Sequence, residues 1–156
     1  MSRAVDHSSF PITPDLNGDD AEETERLRIL AVEAERYITS FHWCPPLDRL
    51  LLAFGVGGVL GLFLARFERP VERSEDQELW IVVGDLPPAY FVTEDSETPA
   101  EALETYCELM EEWADQVLSG GDTSECFPIA AEPTVEHAGM LKSRLEFIRE
   151  QLIPDA

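Results

Sequence analysis

Between Arg49 and Arg66 the chain runs LLLAFGVGGVLGLFLA, sixteen residues without a charge. No other stretch restricts the fold so strongly, because a run like this must leave water either as a membrane helix or as buried strand. Gly57 and Gly61 stand at the GxxxG spacing that lets membrane helices approach closely. One reading is therefore a single span, and with it a membrane-anchored interaction protein. Sixteen residues fall short of the roughly eighteen that a span needs, and each of the four glycines would cost a helix interior about 1 kcal/mol. The other reading is a turn or bend at Phe54–Gly58 followed by a buried strand over Val59–Glu68. Leu60, Leu62 and Leu64 then point one way, and Val59, Gly61, Phe63 and Ala65 the other. Both faces are apolar, as in a central strand covered on both sides. The strand is the expectation, and with it no membrane.

Two further strands are predicted, Leu79–Val83 (LWIVV) and Ala89–Thr93 (AYFVT), separated by Gly84-Asp85-Leu86-Pro87-Pro88. The polar stretch Arg69–Glu78 reads as a loop. Helical spacing marks three other segments. The first runs from Asp20 to Phe41, with Asp20 and Glu23 resembling a capping box, and Cys44-Pro45-Pro46 ends it. The second follows Thr98-Pro99 with Leu103, Tyr106, Met110, Trp113 and Val117 on one face, and Gly120-Gly121 stops it. The third opens at Thr134, carries Ala138, Leu141, Leu145, Ile148 and Leu152, and closes at Pro154. Strands in succession followed by helices predict an α+β fold, with a small antiparallel or mixed sheet of three or more strands and three main helices. Residues 1–18 lack periodicity and read as a mobile N-terminal arm, leaving a single globular domain over 19–156.

Thirty-two acids against eleven bases give a formal charge of −21. Such a chain repels nucleic acid and attracts basic proteins at long range. The three cysteines, Cys44, Cys107 and Cys126, form no close pair, which suits a reducing compartment. Met1–Asn17 shows no apolar signal core, so the expected location is the cytoplasm. Oligomeric state is not legible.

The acidity is concentrated. From Ser74 to Leu141, 68 residues hold 17 acids and no Lys or Arg. On the second helix Glu101, Glu104, Glu108, Glu111 and Asp115 follow the three–four rhythm beside the apolar face. They form a row about 21 Å long at the helical rise. Neighbouring carboxylates near 6 Å apart repel by roughly 0.7 kcal/mol in water before screening, and no (i, i+4) lysine offsets them. The functional reading is a docking face for a basic protein partner; the ordinary alternative is a solvated face that confers solubility.

Other constellations are weaker. Trp43, Trp80, Asp85 and Tyr90 lie near element ends and mark a candidate pocket, with Asp85 placed where an active-site carboxylate could sit. Core packing of the aromatics and a simple Gly-Asp turn compete with that reading. His42-x-Cys44, with Cys107, Cys126 and His137 elsewhere, lacks the paired spacing of a structural zinc site, so no metal and no cofactor is expected. There is no GxSxG, no HExxH and no P-loop lysine, and FGVGGVLG (54–61) departs from the dinucleotide fingerprint after its first GxG.

The stretch LWIVVGDLPPAYFVTEDSETPAEALETYCELMEEW, together with Phe41-His42-Trp43-Cys44, resembles a family of small uncharacterised bacterial proteins. In that family a helix ending in an aromatic–Trp–Cys element precedes a glycine-rich strand and a VGDLPPAY-like turn. The resemblance spans about Tyr37 to Ile153. It implies a bacterial source and a soluble core for the glycine tract, and attaches no activity. The leading expectation is a non-enzymatic acidic binding protein that engages a basic partner, as immunity proteins that neutralise bacterial toxins do. Its rivals are a small enzyme or ligand-binding domain with a pocket near Asp85 and Trp43, and the membrane-anchored interaction protein.

Overall fold

The computed structural model describes residues 5, 7–13, 17–94, 96–129 and 132–156. Three helices and a four-stranded antiparallel sheet make an α+β fold. Helix α1 spans Ala21–Thr39; strands β1 (Leu47–Val56), β2 (Leu60–Phe67), β3 (Glu78–Gly84) and β4 (Ala89–Val92) follow; then come α2 (Pro99–Leu118) and α3 (Val135–Phe147). The chain divides into two compact units, Met1–Pro99 and Ala100–Ala156, where the sequence predicts one domain over 19–156.

In the first unit the strands lie in chain order, β1-β2-β3-β4. The uncharged tract is a hairpin. Strand β1, which the sequence reading left unassigned, pairs with β2 from Leu47↔Phe67 to Val56↔Leu60. The expected bend at Phe54–Gly58 is instead a tighter turn, closed by the Val59 N–H donating to the Val56 carbonyl at 3.0 Å. Gly58 supplies the positive φ of +75° that this turn requires. Folding the tract on itself pairs its backbone across the hairpin, apart from Ala53 at a register shift between Leu52 and Phe54, and buries both faces of β2. Leu60, Leu62, Phe63, Leu64 and Ala65 are all fully buried. No helix of the described residues is long and apolar enough to cross a membrane.

Helix α1 covers one face of this sheet. Its Leu27, Leu30, Ala31, Ala34 and Ile38 pack on Leu50, Leu52, Phe63, Ala65, Phe67, Leu79, Ile81 and Val83. Each of the large aliphatic side chains stabilises by roughly 1.5–3 kcal/mol through burial. Asp20 caps the helix, its Oδ1 accepting from the Glu23 N–H at 2.8 Å. Glu23 does not complete a reciprocal box: its Oε1 accepts the Gly57 N–H at 2.7 Å, pinning the first turn of the helix to the hairpin. At the far end of β3, Gly84 adopts φ +139°, and the Asp85 N–H donates to the Val59 carbonyl at 2.9 Å.

The N-terminal segment also differs from expectation. Residues 1–4, 6 and 14–16 lie outside the described residues, but Val5 is buried and Phe10 to Ile12 make contacts with the sheet. Val5 is 2% exposed, the Phe10 ring lies 6.4 Å from that of Trp80, and Ile12 bridges Leu51 while the Pro11 carbonyl accepts the Leu52 N–H at 2.9 Å. His7 Nε2 sits 3.2 Å from Arg66 Nη1 beside Glu78, the cross-strand partner of Arg66. Isolated apolar residues carry no period, yet each fills a place on a sheet whose second face is apolar.

In the second unit α2 buries Leu103, Tyr106, Cys107, Met110, Trp113 and Val117, the face its spacing predicts. It ends in a Schellman motif: Gly121 N–H donates to the Gln116 carbonyl, Gly120 N–H to that of Val117, and Gly120 has φ +74°. Thr134 caps α3 through His137 N–H. The helix continues as a π turn over Ile148–Leu152.

Candidate functional site

The acidic row on α2 is present, but it is divided lengthwise. At 100° per residue Glu104 and Glu111 share one flank, while Glu101, Glu108 and Glu112 share the other, with Asp115 nearer the first. Two cations from the following helical segment meet the first flank. Arg149, leaving the π turn, places Nη2 2.8 Å and Nε 2.9 Å from Glu104 Oε1, and its Nη1 contacts Glu111. Lys142 Nζ lies 2.7 Å from Asp115 Oδ1. The hydrogen bond that Arg149 donates to the Glu104 carboxylate is the main reason its guanidinium is held above its ordinary pKa. These are partly exposed pairs, each worth about 1 kcal/mol or less. Their consequence is geometric: Glu104, Glu111 and Asp115 are turned toward α3.

On the outer flank two carboxylates face solvent. Glu108 and Glu112 are exposed, and no ion pair to either is found among the described residues. Glu112, Asp122 and Glu125 each lie close enough to Cys126 to raise its thiol, after the thiol's own desolvation. Asp122 itself is held below the usual carboxylate range by the Ser124 backbone N–H and hydroxyl. Beside the paired flank, Glu111, Lys142, Ser143, Glu146, Arg149 and Glu150 line a cleft of about 520 Å³.

The four residues of the other candidate pocket are not brought together. Trp43 and Tyr90 belong to an aromatic cluster, with Trp43, Phe41 and Tyr90 mutually 5.0–5.2 Å apart between ring centroids. Rings this close leave no space between them. Trp80 is fully buried, its Nε1–H donating to the Ser96 carbonyl at 2.8 Å. Asp85 is exposed and lines a separate shallow cleft of about 300 Å³ with Arg26, Ile29, Leu30, Glu33, Gly58 and Gly84. Arg26 is paired there with Glu22 at 2.6 Å.

Among the described residues no group of three or more His, Cys, Asp or Glu converges on a point where a metal ion could be held. Burial pushes Cys107 up to about 12 and raises Cys44 as well, so the reactive thiolate is disfavoured at neutral pH. Sequence reasoning missed Glu112, although its position four residues after Glu108 was legible, and missed Arg149 and Lys142, whose approach to the row is tertiary. No protein-family model, curated protein or solved structure matches this chain significantly.

Proposed function

We propose that this chain is a non-enzymatic acidic binding protein whose Ala100–Ala156 unit engages a basic protein partner. Thirteen carboxylates against three cations in that unit carry the proposal. With Lys142 and Arg149 committed to the inner flank, Glu108 and Glu112 present an outward negative edge, continued by Asp122 and Glu125. Fields of this kind raise the association rate of a basic partner more than they lengthen its residence. The role that fits is neutralisation of a basic toxin-like protein, as bacterial immunity proteins perform, a reading by physical character.

The inner pairs dictate how to test it. Neutralising all five residues of the row would strip Arg149 and Lys142 of partners and confuse stability with binding. Glu108→Gln with Glu112→Gln leaves those pairs intact. Basic proteins captured from the native host at low salt should be released at high salt. Their association with the double variant should be about five- to tenfold slower at low ionic strength, with a shallower salt slope. Identical rates and slopes for variant and wild type would remove this edge from the binding surface.

A further inference from the structure

Helix α3 has a second face that the fold of this chain does not use. Met140 is 58% and Phe147 47% exposed. Seven residues apart, they return to the same side of the helix after two turns, about 10.5 Å along it. Gly139 stands next to Met140 in the helix interior, where glycine costs roughly 1 kcal/mol relative to alanine. Nothing lies within 4 Å of a Cβ built there, so no packing inside this chain requires a glycine. At 100° per residue Gly139 borders the Met140–Phe147 strip on the side of Ser143, and its bare backbone there leaves room for close approach of another helix. The ends of this strip are acidic: Glu136 lies one turn before Met140, and Glu146 and Glu150 flank Phe147 at the mouth of the cleft that also holds Glu111.

We infer that this face of α3 docks a basic amphipathic helix of the partner. Its apolar stripe lies on Met140 and Phe147 with its backbone beside Gly139, and its cations reach Glu136, Glu146 and Glu150 on that side of the strip, away from Arg144 on the other. Helix-in-groove recognition by an apolar strip with acidic surrounds has this chemistry, and methionine adapts well to the facing surface. The inference rests on the proposed function and deepens it by naming the form in which the basic partner is presented.

Two synthetic eighteen-residue Leu/Arg peptides of identical composition separate the readings: one with leucines at three–four spacing, the other scrambled so that it has no apolar face. Binding is followed by fluorescence anisotropy at low salt. The amphipathic peptide should bind about tenfold or more tightly than the scrambled one. Met140→Ser with Phe147→Ser should erase that difference while leaving the scrambled peptide unchanged. Gly139→Gln fills open space with a better helix former, so it should fold at least as stably as wild type and still weaken the amphipathic peptide. Equal binding of both peptides, or wild-type binding by both variants, overturns the inference and leaves the charge reading standing. If neither peptide binds, both readings fall. A concentration-dependent dimer in ultracentrifugation that Met140→Ser and Phe147→Ser abolish would also overturn it, by assigning the face to a second copy of this chain.

Discussion

Three glycines let the backbone geometry be tested with a single kind of substitution. At Gly84 an added Cβ would lie 2.3 Å from the Val59 carbonyl oxygen and 2.8 Å from Leu60 Cα, both backbone atoms that no rotamer can move, and φ is +139°. An L-residue held there stores about 1–3 kcal/mol of strain. Relieving the clash separates β3 from the start of β2, which sacrifices the Asp85 N–H bond to Val59, about another 1 kcal/mol. The sum for Gly84→Ala is roughly 2–4 kcal/mol, a large share of a typical 5–15 kcal/mol of stability. It should lower Tm by roughly 4–16 °C in a chain of this size. At Gly58, φ is +75° and nothing lies within 4 Å, so Gly58→Ala should cost only the left-handed penalty, about 1–2 kcal/mol. At Gly139 the backbone is helical and the space open, so Gly139→Ala should gain about 1 kcal/mol. Urea and thermal unfolding of the three variants give the order directly. A Gly84→Ala variant no less stable than Gly58→Ala, or a destabilised Gly139→Ala, would refute the reasoning.

Leu62, fully buried on the central strand, should not tolerate Asp; a folded Leu62→Asp variant with wild-type Tm, seen by circular dichroism, would contradict its burial. Deleting residues 1–12 removes Val5 and uncovers the Phe10 side of Trp80, so stability should fall by roughly 3 kcal/mol; an unchanged urea midpoint would show that the segment contributes nothing. Cys107 keeps its proton in the folded state up to about 12, whereas the unfolded thiol loses it near 9.0. Its share of stability is therefore full below pH 9 and declines as pH rises from 9 toward 12. Tyr37, also raised by burial and by the facing Tyr90, adds to the decline, so Cys107→Ala should flatten the wild-type slope between pH 8 and 11 without abolishing it; superimposable slopes would count against the buried thiol.

What the sequence showed followed from periodicity. Leu103 to Val117 on α2 and the alternating faces of β2 are regular patterns, and both stand in the structure where the spacing put them. Strand β1 escaped because Gly55 interrupts its apolar run and a register shift between Leu52 and Phe54 breaks its alternation, so the tract read as a bend before one strand rather than as two. The N-terminal segment escaped for a different reason: Val5, Phe10 and Ile12 are singletons, and the burial of Val5, the ring contact of Phe10 and the bridge of Ile12 all depend on distant residues. The candidate site divides in the same way. The row of carboxylates on α2 was visible as a spacing, while its partition into paired and outward flanks is set by Arg149 and Lys142, 45 and 27 residues from the acids they meet.

The chain-order sheet also decides which strands are open to pairing with another chain. Its two most self-adhesive windows, Leu60–Ala65 and Leu79–Val83, combine high β-propensity with no charge, and both occupy interior strands whose ladders are filled on either side. The boundary strands are blunted. The outer edge of β1 is partly sealed by Pro11 and Ile12, and β4 is four residues long and entered through Pro87-Pro88, which donate no backbone hydrogen bonds. The N-terminal segment thus covers part of an open edge: clipping it off would bare backbone beside a hydrophobic hairpin, adding a template for strand-to-strand pairing to the loss of stability.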